Sequence, residues 1–197
     1  MEYRYVREDE LYHYGVPGMK WGVRKQQMYE KRSAKYASKV GRSKTRLGKQ
    51  FNLTQQYNNK IKADRQARIN NSSGIVNKYK STFGLNALSK DEKTRSEFFK
   101  NKAQYGITKR GRQDSLVESF NRNSRSNYLK KIANSKGFIN KAEMYCRGYV
   151  DMPIKRLSGR TTTLGKDAVS TMLTFGILPA VQDYKYKKAH KGEYGRV

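Results

Sequence analysis

Cysteine, histidine and acidic residues are all scarce in this 197-residue chain. The one cysteine, Cys146, leaves no internal disulfide and no cysteine-based zinc cluster. The two histidines, His13 and His190, stand near opposite ends, which argues against a metal site, and no cofactor is expected. Hydrophobic residues make up 36% of the chain and 15 residues are tyrosine, so much of that fraction carries a hydroxyl and the core should be thin. Only 16 acids face 43 lysines and arginines, a net charge of +27. Such a chain repels itself unless something anionic screens it, which disfavours an ordinary free-standing enzyme and favours a polyanion or a large assembly as partner.

Long hydrophobic runs are missing too. The first 24 residues are polar and include Glu2, Glu8, Asp9 and Glu10, so no secretory signal is read there. The longest uncharged run, 168–182 (AVSTMLTFGILPAVQ), falls short of the ~20 residues needed to span a bilayer and contains Gly176 and Pro179. It fits a buried helix broken near its end or, with Lys166, Lys185, Lys187 and Lys188 flanking it, an interfacial helix making weak membrane contact.

Catalytic patterns are equally thin. Gly159 to Lys166 (GRTTTLGK) resembles a phosphate-binding loop, but five residues separate its glycines rather than four, and Asp167 stands where a hydroxyl should meet magnesium. A threonine-rich turn before a helix explains it better. Cys146 has no histidine nearby in sequence to activate it, and the acids are too scattered to propose a carboxylate pair. The expectation is a protein that is not an enzyme.

What is present reads as helix. Four stretches differ in composition: an arm over 1–24, a basic helical region over 25–90, a helical body over 91–157, and an apolar helix with a basic tail over 158–197. Met28, Tyr29, Tyr36 and Val40 suggest an apolar stripe on a helix over Lys25–Val40, and Tyr57, Ile61 and Ile69 another over Leu53–Asn70. Ser89-Lys90-Asp91-Glu92 reads as a capping box that starts a helix running to Tyr105, before Gly106. Leu116, Val117, Phe120, Leu129 and Ile132 mark a helix over Asp114–Lys136 interrupted by the polar RNSRSN, and Phe138–Leu157 and Leu164–Tyr184 complete the set. Strand signals are weak beyond Tyr3–Val6. The expected fold class is mainly α, an open, extended helical assembly protein with an irregular N-terminal arm.

Residues 25–90 hold 16 basic residues against two acids, Glu30 and Asp64. Lys25, Lys31, Arg32, Lys35, Lys39, Arg42, Lys44, Arg46 and Lys49 recur every few positions, and a merely soluble helix normally mixes both signs. Contact with DNA phosphates or an acidic protein surface is expected, without base-specific reading, since no base-reading module is recognisable. Tyr29, Tyr36 and Tyr57 fit either stacking on bases or anchoring to a neighbouring element.

The most distinctive segment is Leu11–Lys25, LYHYGVPGMKWGVRK. Val16-Pro17-Gly18-Met19 suits a type II turn, and the segment holds the sole tryptophan in a context too glycine-rich for a stable helix. Trp21 and Met19 either plug a pocket on a partner or fold back onto this chain's own core. The string from His13 to Arg24, HYGVPGMKWGVR, resembles the short HxGxxGMKWGxR signature of proteins encoded among the structural genes of tailed bacteriophages, with Pro17 where members commonly carry lysine or arginine. The resemblance implies a virion-associated protein of the head, portal or neck, or an internal cargo protein, present in many copies and assembled in the host cytoplasm. It makes His13, Gly15, Gly18, Met19, Lys20, Trp21, Gly22 and Arg24 a docking tag on other virion proteins. The rival expectation is a stand-alone, non-specific nucleic-acid-binding protein, nucleoid- or ribosome-associated.

Overall fold

A computed structural model describes residues 21–137, 141–144 and 150–190; the arm over 1–20, Cys146 and the basic tail beyond His190 lie outside the described residues. Among the described residues the elements follow in order: α1 (Trp21–Arg42), α2 (Arg46–Asn70), α3 (Ile75–Phe83), α4 (Leu85–Gln104), α5 (Lys109–Asn134), β1 (Pro153–Lys155), β2 (Thr161–Thr163), α6 (Leu164–Leu173) and α7 (Ile177–Ala189). The mainly α expectation holds.

Two antiparallel helical hairpins, α1–α2 and α4–α5, form the body. Each second helix opens the same way. Thr45 Oγ1 accepts from the Gly48 amide at 3.1 Å, and Thr108 Oγ1 accepts from the Gly111 amide at 2.9 Å. The T-x-x-G pattern caps a helix N-terminus that would otherwise leave amides unpaired. Both loops are short, so each hairpin closes antiparallel.

The α4–α5 seam is built from serine. Ser89 Oγ donates to the Ser126 carbonyl at 2.8 Å and Ser126 Oγ donates back to the Ser89 carbonyl at 2.7 Å. One heptad along, Ser96 and Ser119 repeat the exchange at 2.7 and 2.8 Å. Small side chains let the two backbones approach closely enough for hydroxyls to reach the opposite carbonyls. Ala103, fully buried, continues the α4 row at the same spacing. The capping box expected at Ser89–Glu92 is therefore corrected: α4 begins at Leu85, one turn earlier, and the Ser89 hydroxyl is spent across the seam. The expected interruption at RNSRSN is corrected too, because α5 runs unbroken and buries Ser124 and Ser126 from that stretch.

The α1–α2 seam is more amide-rich. Positions 22, 26, 29, 33 and 36, all half-buried, and buried Val40 form its inward row on α1, a strict four-three alternation that supports knobs-into-holes packing. Met28, expected on that stripe, is 38% exposed and lies off it. Asn70 links the open end, donating to Gln26 Oε1 and accepting from Gln66 Nε2, both at 3.0 Å. A methyl group on Gly22 would collide with the Asn70 amide, so glycine permits this approach. Trp21, Gly22 and Arg24 stand in the first turn of α1, which corrects the non-helical expectation for 21–25, the rest of that glycine-rich segment lying outside the described residues. Glycine costs a helix about 1 kcal/mol against alanine, and packing on α2 offsets it.

The hairpins meet over Val40, Leu53 and Tyr57, with Phe98 and Tyr105 packed against them. Asp91 of α4, 4% exposed, accepts from Arg65 Nε at 2.7 Å and Arg68 Nη2 at 2.8 Å of α2, pinning the two hairpins together.

The C-terminal part is tied to α5 by a strand mimic. Asn121 donates to the Lys155 carbonyl at 3.1 Å and accepts from its amide at 2.7 Å, as a third strand would. In the sheet Pro153 faces Thr163 and Lys155 faces Thr161, so the loop over 159–163 is half strand, a feature the sequence reading lacked. Arg156 then joins both terminal helices: Nη1 meets the two Asp167 oxygens at 2.7 Å and Nε meets Asp183 at 2.6 Å. Arg160 Nε and Ser158 Oγ add bonds to Asp183 at 3.1 and 2.9 Å. The run over 168–182, expected as a buried helix broken near its end or as an interfacial helix, is two helices joined by a turn at 174–176, and most of its apolar side chains are exposed, which corrects the buried reading.

Candidate polyanion-binding groove

A groove of about 780 Å³ runs between the two hairpins. Its walls carry Arg32 and Lys35 from α1, Lys62 and Arg65 from α2, Arg95 from α4 and Arg122 from α5, with no acidic residue among the lining side chains. Its aromatic members are Tyr36, Tyr57, Phe98 and Phe99. Tyr57 and Phe98 tilt against each other at 5.5 Å, and Phe98 against Phe99 at 5.0 Å. This combination of cations and π surfaces suits a phosphate backbone with stackable groups.

The cations divide by what they already hold. Arg65 is bound to Asp91. Arg122 donates to Glu92 at 3.0 Å and to Glu118 at 2.7 Å. Burial would lower the Arg122 pKa, but the bonds to Glu92 and Glu118 prevail and hold it above the ordinary arginine value. Lys62 lies over the Tyr29 ring at 5.7 Å. Arg32, Lys35 and Arg95 form no ion pair with any described residue, so their charge is available to a ligand. Burial raises the Tyr57 pKa above the ordinary phenol value, with Asn101 opposing and Glu97 adding, so the ring is neutral at physiological pH. Its hydroxyl accepts from Asn101 Nδ2 at 2.7 Å, which fixes the ring in the core.

The structure disperses the expected basic set. Arg32 and Lys35 line the groove, while Lys31, Lys39 and Arg42 are exposed on the same helix. Lys39 lies over the Tyr36 ring at 5.4 Å and Lys49 over Tyr105 at 5.5 Å. Arg46 reaches the Gly106 carbonyl at 3.4 Å, an internal tie between α2 and the α4–α5 loop. Lys25 sits in the first helical turns of α1 and Lys44 in the α1–α2 loop. Of the three tyrosines, Tyr36 reaches the groove, Tyr57 is buried, and Tyr29 belongs to the α1 seam.

Lys62, Arg65, Arg95, Phe98, Phe99 and Arg122 were missed as a site. They are scattered over 60 residues of a chain in which cations are common, and only the packing of α2, α4 and α5 together collects them. Of the docking tag, Trp21 is 49% exposed at the start of α1, with Gly22 and Arg24 beside it; His13, Gly15, Gly18, Met19 and Lys20 lie outside the described residues. Among the described residues no group of three histidine, cysteine, aspartate or glutamate side chains is placed to hold a metal.

Residues 5–28 match the model of a family of unknown function, DUF7211. That stretch contains the glycine–tryptophan segment and the first turns of α1. No curated protein and no solved structure matches the chain.

Proposed function

We propose that this chain is a non-enzymatic structural or packaged component of a tailed-phage virion. It docks on other virion proteins through the segment from His13 to Arg24 and holds packaged DNA or an acidic virion surface through its basic helices. The observation that carries the polyanion part is the groove itself, in which Arg32, Lys35 and Arg95, without an ion pair among the described residues, stand beside aromatic rings with no acid lining the walls. The charge of +27 supports it, since such an excess is neutralised by a partner rather than within the chain. The virion part rests on the resemblance of residues 13–24 to the phage signature, within the stretch matched by the family model.

Each phosphate neutralised adds about 0.9 to the slope of log affinity against log salt. The triple variant Arg32→Ala, Lys35→Ala, Arg95→Ala should therefore flatten that slope for a DNA duplex by about 2–3, whereas Lys44→Ala should change it by no more than about 1. Equal slopes for the triple variant and the unmodified chain would remove the groove as the contact. Mass spectrometry of purified phage particles decides the setting: the protein should be present in mature virions. Absence there, with DNA binding intact, would favour a stand-alone nucleic-acid-binding protein that uses the same groove.

A further inference from the structure

Beyond the groove, the described residues present a second surface that the polyanion reading does not use: the hairpin of α6 and α7. We propose that this hairpin inserts into one leaflet of an anionic lipid bilayer. Arg156 and Arg160 clamp Asp167 and Asp183, which stand equally far from Phe175 along the two helices, so the clamp closes the base of a symmetric hairpin. Beyond that clamp there is no charged residue: 168–182 is uncharged throughout. Met172, Leu173, Phe175 and Ile177 are 82, 77, 94 and 67% exposed.

The geometry matches a leaflet in depth. Eight helical residues rise about 12 Å, against about 15 Å for half the hydrocarbon core of a bilayer. No described helix is long and apolar enough to cross a membrane, so a shallow hairpin rather than a span is the form available. Thr174 and Gly176, at the turn of the tip, bond internally, as hydrocarbon favours. Thr174 Oγ1 donates to the Ser170 carbonyl at 2.6 Å and accepts from the Leu178 amide at 3.1 Å, and the Gly176 amide donates to the Thr171 carbonyl at 2.9 Å. Phe175 has φ 48°, a left-handed conformation uncommon for a bulky residue, which holds its ring out at the apex. Behind the clamp, exposed Lys166, Lys185 and Lys188 lie at headgroup level, where anionic lipid complements them, with Tyr184 at the boundary.

Because the whole chain is basic, adsorption to anionic vesicles alone decides nothing; depth does. The full-length variant Phe175→Trp is mixed with phosphatidylglycerol–phosphatidylcholine vesicles whose acyl chains carry bromine, and the unmodified chain, with Trp21 as its one indole, sets the baseline. Insertion predicts a blue shift and at least twofold quenching of the new indole that survives salt high enough to release surface adsorption. Adding Leu173→Asp and Ile177→Asp should abolish quenching while circular dichroism and low-salt vesicle binding are unchanged. Sedimentation with vesicles but without acyl-chain quenching would overturn the proposal. So would a blue shift in vesicle-free buffer that grows with protein concentration, which assigns the face to a second copy of the chain. Loss of DNA binding by the groove variants leaves this readout unmoved, so the two readings fail separately.

Discussion

Most of the buried side chains of α4 and α5 are serines and alanines, whereas across α6 and α7 leucine, methionine, isoleucine, valine and phenylalanine are exposed. The body thus hides polar atoms and pairs them across a close helix contact. The C-terminal hairpin turns apolar surface outward and coheres through arginine and aspartate at its base. Exchanged hydroxyl bonds are stable where backbones nearly touch, because no water competes and no cavity is left. An outward apolar tip gains nothing in the free chain, so its contribution comes from whatever covers it.

The largest test of this contrast is Ser126→Leu. A branched side chain at that contact must push the helices apart, costing about 3 kcal/mol and lowering the thermal midpoint by roughly 6–12 °C. Ser126→Ala keeps the fit and loses the hydroxyl exchange with Ser89, a cost of about 1 kcal/mol. Denaturant melts of the two variants separate steric fit from hydrogen bonding; equal losses would show that closeness is not what the serines provide.

Next in size is the clamp. Arg156→Ala removes the bonds to Asp167 and Asp183, side chains 16 and 18% exposed, at a cost of about 2 kcal/mol. The cost should fall on 164–189 alone, read as faster hydrogen exchange there with α1–α5 unchanged.

Acidification should move the two regions in opposite directions. Burial would raise the Asp183 pKa, but bonds from Arg156, Ser158 and Arg160 outweigh it and hold the carboxyl below its ordinary value. Its stabilisation is complete above the unfolded value near ~3.9 and is lost as the pH falls through the folded value. Asp64, on α2, is raised by burial first, with Asp91 and Glu30 adding and Lys60 and Arg68 opposing. Its ionised form therefore costs the folded body stability above that raised value, and the cost fades as the pH falls through it. Exchange protection measured from neutral pH to about pH 3 should weaken first in the C-terminal hairpin. Earlier loss in α2 would reverse the comparison.

The smallest effect is expected from Leu173→Ser. At 77% exposure the substitution should change stability by no more than about 0.5 kcal/mol, an order below a core leucine. A loss of 2 kcal/mol in a melt would mean that the tip is packed after all.

How legible each region was follows from the same chemistry. The helix over 109–134 was readable from Leu116, Val117, Phe120, Leu129 and Ile132, but its seam was not, because serine at a heptad position looks like a solvent-facing residue. The T-x-x-G pair that opens α2 and α5 was a signal within reach, since a hydroxyl beside an unpaired amide identifies a helix start without any apolar pattern. For the groove, Arg32 and Lys35 were accessible as part of a basic run, whereas Arg95 gained meaning only when α4 packed on α2.

Composition and periodicity by themselves determined that this chain is helical, strongly basic and poor in cysteine, histidine and acids. Those properties depend on residue counts and local spacing, which survive in any conformation. Tertiary structure alone decided which cations are consumed by Asp91, Glu92 and Glu118 and which have no ion pair among the described residues, and that the uncharged run folds back at Phe175 instead of burying itself. Both outcomes hinge on contacts between residues distant in sequence, where a single carboxylate within 3 Å changes what a guanidinium is free to do.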